Sequence, residues 1–137
     1  MADLTLDVWQ FVRLMVGMEE SLKARGGASD VRALYRRWED LWVDLDAQLV
    51  DLGKRDPQAF ADLMMEQEVV LEDVSGADRE IVVRELSKVL SQITATLAGT
   101  DDPAEVEDLS FERDELSLTL KQLRRKSAES GRGQPGP

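Results

Sequence analysis

The sequence predicts an all-α fold, an antiparallel up-and-down helical bundle of four to five helices with coiled-coil-like packing. Three observations predict it. Apolar residues recur at helical spacing through most of the 137 residues. Breaks of about two to five residues, marked by Gly, Pro or a capping residue, separate the periodic segments and force neighbours to pack antiparallel. Strand-forming alternation is sustained nowhere. Residues 1–127 are read as one bundle domain and 128–137, rich in Ser, Gly and Pro, as a disordered tail.

The first helix is predicted to start at Asp3 or Thr5 and run to about Arg25, with Leu4, Val8, Phe11, Val12, Met15, Val16 and Leu22 on its apolar face. Gly26-Gly27 ends it. Ser29 opens the second helix, where Val31, Trp38, Leu45 and Leu52 stand seven apart while Leu34/Tyr35, Leu41/Trp42 and Leu49 fill the other seam position. The fragments Val43-Asp44-Leu45 and Val50-Asp51-Leu52 repeat at the same offset, and Gly53 stops the helix.

Asp56-Pro57 is an acidic N-cap followed by proline at the first helical position, so a third helix is predicted from there to about Asp73. Its apolar face is Phe60, Leu63, Met64, Val70, Leu71 and Val74, with the polar Gln67 interrupting the stripe. Ser75-Gly76-Ala77-Asp78 has capping-box spacing and opens a fourth helix that carries Val82, Leu86, Val89, Leu90, Ile93 and Leu97 and stops at Gly99. Asp102-Pro103 repeats the start signal for the last helix, in one piece or two, with Val106, Leu109, Leu116, Leu120 and Leu123 on its face.

Composition narrows the chemistry. Acidic residues outnumber basic ones 28 to 17, a formal charge of −11, which repels phosphates and anionic lipid and disfavours direct nucleic-acid or membrane binding. The absence of cysteine and histidine removes thiolate nucleophiles, disulfides and the commonest general base and metal ligand. No leader-like segment and no apolar run of about 18 residues is present, so a cytoplasmic location is expected. Phosphate-binding glycine loops, nucleophile elbows and calcium loops are missing as well.

Two groups of residues stand out as a candidate partner-binding surface. From Asp56 to Asp78 seven acids occur with no intervening base. If the helix is continuous, Asp62, Glu66 and Asp73 share one face and Glu68 and Glu72 another. Such a surface can stay solvated, dock a basic protein, or hold Mg²⁺ or Ca²⁺. The second group is Tyr35, Trp38 and Trp42 on the second helix, aromatic side chains that serve a core or an interface equally well. Methionines 15, 18, 64 and 65 are read as gap-filling core residues, and Arg124-Arg125-Lys126 as cations at a helix C-terminus.

The expected function is a non-enzymatic helical protein–protein interaction module, an adaptor, assembly factor or regulator that forms a homo-oligomer and binds a protein partner, a basic one in particular. No catalytic residue, cofactor or metal is assigned. One alternative is a carboxylate-dependent Mg²⁺ phosphohydrolase. Glu105-Val106-Glu107-Asp108 has one of the carboxylate spacings of all-α nucleotide hydrolases, but no Glu-x-x-Glu pair is read anywhere in the chain to complete the set. A second alternative is an acidic decoy that occupies a basic nucleic-acid-binding protein.

Overall fold

A computed structural model describes the backbone of residues 2–24 and 29–133 and the side chains of 3–24 and 29–125. The elements are β1 (Ala2–Asp7), α1 (Val8–Lys23), α2 (Ser29–Arg55), α3 (Pro57–Glu66), β2 (Glu68–Val74), α4 (Gly76–Ala98) and α5 (Pro103–Gly133). The protein is mostly helical, as predicted, but it also carries a small antiparallel sheet of two strands. The chain divides into two compact units, Met1–Val74 and Ser75–Pro137.

In the first unit, residues 2–7 form a strand rather than the first turns of a helix. Leu4 and Leu6 point inward and are buried, while Asp3 and Thr5 are exposed, the period of two that a half-buried strand requires. Its partner is the segment predicted as the second half of the third helix. Leu4 faces Leu71 and Leu6 faces Val69 across the ladder, so two apolar pairs line the inner side. Thr5 with Val70 and Asp7 with Glu68 come level on the outer side.

The ladder slips between Ala2 and Leu4, because Ala2 pairs with Val74 while Leu4 pairs with Leu71. One extra residue on β2 is the signature of a bulge. Asp73 supplies the left-handed backbone there, with φ of 56°. The bulge leaves both Glu72 and Asp73 exposed and returns Val74 to the interior.

Helix α3 accordingly stops at Glu66. The Asp56 side chain accepts a hydrogen bond from the Ala59 amide at 3.1 Å, and Pro57 occupies the first position, so the predicted start holds. At Gln67 the backbone is extended, and its carbonyl accepts the Val8 amide at 3.0 Å. That bond ties the exit of α3 to the first turn of α1, at the point where both strands meet their helices. The polar residue that interrupts the stripe thus marks the switch from helix to strand.

Helix α2 buries Val31, Leu34, Trp38, Trp42, Leu45 and Leu49 at steps of three or four residues. Phe11 of α1 packs edge-on against Trp42, with ring centroids 6.4 Å apart at 74°. Farther along α1, Glu19 bonds both Tyr35 and Trp42, so α1 and α2 run antiparallel. The Gly26-Gly27 stop and Arg25 lie outside the described residues.

The second unit is a helical hairpin. Ser75 Oγ accepts the Asp78 amide at 3.0 Å and Asp78 Oδ2 accepts the Ser75 amide at 3.1 Å, a reciprocal capping box. Gly99 caps the other end of α4. Asp102 accepts the Ala104 amide at 3.1 Å and starts α5, which continues in one piece. Ile81, Val82, Leu86, Val89 and Ile93 are buried on α4, as are Leu116, Leu120 and Leu123 on α5. Arg124 Nη2 donates to Ser87 Oγ at 3.1 Å across the pair. The helical backbone passes the composition change at Ala128, where the sequence places the end of the fold; residues 134–137 and the side chains of Lys126 and Arg132 lie outside the described residues.

Candidate partner-binding surface

The sequence-predicted residues separate into three places. Trp38 and Trp42 are 5% and 9% exposed, so both indoles belong to the interior of the folded chain. Tyr35 is half-buried beside them. Asp62 and Glu66 sit exposed on α3, where Asp62 Oδ1 accepts from Gln58 Nε2 at 3.0 Å. Glu68, Glu72 and Asp73 are exposed on β2. The predicted helical face of Asp62, Glu66 and Asp73 does not form, because α3 ends before Asp73 is reached. Glu68 and Glu72 do share a face, that of a strand.

The outer side of the ribbon is acidic as a result. Asp7 stands level with Glu68, and like charges directly opposite on a sheet are unfavourable. Glu72 and Asp73 add two further carboxylates at the bulge. Only Val70, 53% exposed, interrupts them with apolar surface.

Between α2 and β2 lies a shallow cleft of about 340 Å³. Trp38 and Leu71 contribute apolar surface, Leu41 and Val70 form exposed apolar rims, and Arg37, Glu72 and Asp73 ring it with charge. Arg37 Nη2 donates to the Asp73 carbonyl at 3.0 Å and so braces the bulge against α2. The cleft unites three of the predicted residues, Trp38, Glu72 and Asp73, with Arg37 and with two residues that the sequence assigns to helix seams, Leu41 and Val70. Val70 carried a readable signal, since Glu68, Val70 and Glu72 alternate with Val69 and Leu71.

Tyr35 belongs to a second cleft, of about 500 Å³, between α1 and α2. At its edge one carboxylate oxygen, Glu19 Oε1, accepts from the Tyr35 hydroxyl at 2.5 Å and from Trp42 Nε1 at 3.1 Å. Lys23, Arg32, Arg36 and Glu39 surround it. Glu19 escaped the sequence reading, although it lies one position beyond Met18 on the buried arc of α1.

Burial, then the hydrogen bond to Glu19 and the negative charges of Glu19 and Glu39, push the Tyr35 phenol well above its ordinary value. The folded protein therefore keeps a proton that the unfolded chain gives up near pH 10. The stability linked to this proton is complete below that pH and is lost as pH rises beyond it. Because Tyr35 is the only tyrosine, its tyrosinate absorbance is unambiguous. It is expected to titrate above pH 10 in the folded protein and near pH 10 in denaturant, and Tyr35→Phe is expected to flatten the alkaline fall in stability. Titration at the same pH in both states contradicts the account.

Among the described residues, no three His, Cys, Asp or Glu side chains gather as metal ligands. Asp102, Glu105, Glu107 and Asp108 are exposed at the start of α5. Glu112 and Glu115 have Glu-x-x-Glu spacing, unnoticed in the sequence reading, but they lie on the same helix as Glu105 and Asp108 rather than on the one before it. No helix among the described residues is long and apolar enough to cross a membrane. Comparison with protein-family models, curated proteins and solved structures gives no match to this chain.

Proposed function

We propose that the protein is a non-enzymatic helical interaction module of the cytoplasm that self-associates and docks a basic segment of a partner protein against the acidic ribbon. The observation that carries the reading is the α2–β2 cleft. Exposed Leu41 and Val70 flank buried Trp38 beneath the carboxylates of Glu72 and Asp73. A segment with a basic and an apolar side would find both complements there, charge for selection and approach, apolar surface for retention. An up-and-down bundle with coiled-coil-like packing along the α2 heptads belongs to the same proposal, as a rigid platform for these surfaces.

Capture from native cell extract at low and high salt tests the docking reading, with Val70→Glu and a Glu72→Lys/Asp73→Lys pair beside the unaltered chain. All three residues are exposed, so the fold is expected to persist, which circular dichroism checks. Partners held by the unaltered chain and lost from both variants support the reading. An identical set on all three baits overturns it. An electrostatic decoy, occupying a basic protein by charge alone, is recognised by partners that high salt removes and Val70→Glu leaves in place.

A further inference from the structure

The outward side of α2, opposite its buried stripe, carries Val43 and Val50 at 58% and 52% exposure. They stand seven residues apart, about 10 Å along the helix, and the exposed Ala47 lies between them. Four residues before Val43 is Glu39, and four residues after Val50 is Lys54, both exposed. Along this strip the order is acid, valine, alanine, valine, base. It is nearly symmetric in shape about the point between Asp46 and Ala47 and inverted in charge.

That is the pattern a two-fold contact requires, where the same patch on both copies must be its own complement. The geometry points to a second copy of this chain as the occupant of the strip, with the two α2 helices antiparallel and Val43 of each against Val50 of the other. In that register each Glu39 comes level with the partner copy's residue 54, a lysine, and Arg36 reaches the level of Asp56-Pro57. The small Ala47 near the axis lets the backbones approach. A parallel pair would instead set Glu39 against Glu39 and Lys54 against Lys54. The inference rests on the self-association proposed above and names its surface.

Sedimentation equilibrium of the full chain tests it with Glu39→Lys, Lys54→Glu and the double exchange. Each pair occurs twice in the dimer, so each single substitution is expected to weaken dimerisation about ten-fold and the double exchange to restore it to within about three-fold. The chain has no native cysteine, which permits a second measurement independent of affinity. Mixed Val43→Cys and Val50→Cys proteins are expected to form a disulfide between one another on oxidation, and each variant alone is expected to form little.

Three results overturn the inference. An unaltered chain that dimerises with the same affinity in both single variants pairs through another face, and self-association then stands without this surface. Cross-linking of Val43→Cys with itself in preference to Val50→Cys shows the parallel register. A clean 15.4 kDa mass at every concentration removes self-association altogether, and leaves partner docking to its own test.

Discussion

Trp42→Ala is expected to destabilise the protein by about 3–5 kcal/mol, the range for truncating a buried large aromatic. Three losses coincide at this position. The indole leaves a cavity in the interior of the first unit, Phe11 loses the ring against which it packs edge-on, and Glu19 loses one of its two aromatic donors. Trp42→Phe separates these effects, since it keeps an aromatic ring and removes the N–H. Its cost is expected to be nearer 1–3 kcal/mol, roughly what one hydrogen bond to a charged acceptor contributes. Urea unfolding followed by far-ultraviolet circular dichroism measures both. If Trp42→Ala shifts stability by less than about 0.5 kcal/mol, as an exposed residue would, then Trp42 serves a partner and not the core.

Leu86→Ala is expected to cost about 2–5 kcal/mol in the same assay. Leu86 is fully buried on α4, within the hairpin of α4 and α5. Leu118→Ala supplies the control. Leu118 is 52% exposed on α5, and its truncation is expected to stay within about 0.5 kcal/mol. Equal effects at the two positions would contradict the assignment of inner and outer faces in the second unit.

The helix boundaries set by a strong local signal were legible from residues alone. Asp56-Pro57, Ser75 with Asp78, and Asp102-Pro103 all begin helices, because an N-cap is decided within four residues and needs no distant contact. The buried stripe of α2 was legible too, since its side chains repeat faithfully over several turns. The strands were not. Leu4 and Val8 fit a helical period as readily as Leu4 and Leu6 fit a strand, and an interval of six residues is too short to separate the two. In β2 the bulge at Asp73 spoils the alternation, and Val70, Leu71 and Val74 mimic a helical stripe although the strand buries Val69 in place of Val70.

The candidate surface was legible in its chemistry and not in its shape. The acids between Asp56 and Asp78 are plain in the sequence, but which of them share a face depends on where α3 ends. That end is fixed by Gln67, whose carbonyl meets the Val8 amide of a segment far away in the chain. Leu41 could not be told from Trp42 by heptad position, because both suit the seam. The structure buries Trp42 and turns Leu41 toward the rim of the cleft.

The pairing of β1 with β2 also orders events in time. Residues 2–7 find their partners only at residues 68–74, so during synthesis this strand must wait while three helices emerge between the two halves of its ladder. Closing so long a loop carries an entropic cost that the helices must already offset. The α4–α5 hairpin, joined by a connection of residues 99–102, carries no such delay. Residues 2–7 are therefore made before the three helices that separate them from their partner and placed only after them, and until then Leu4 and Leu6 present apolar surface to whatever meets the nascent chain.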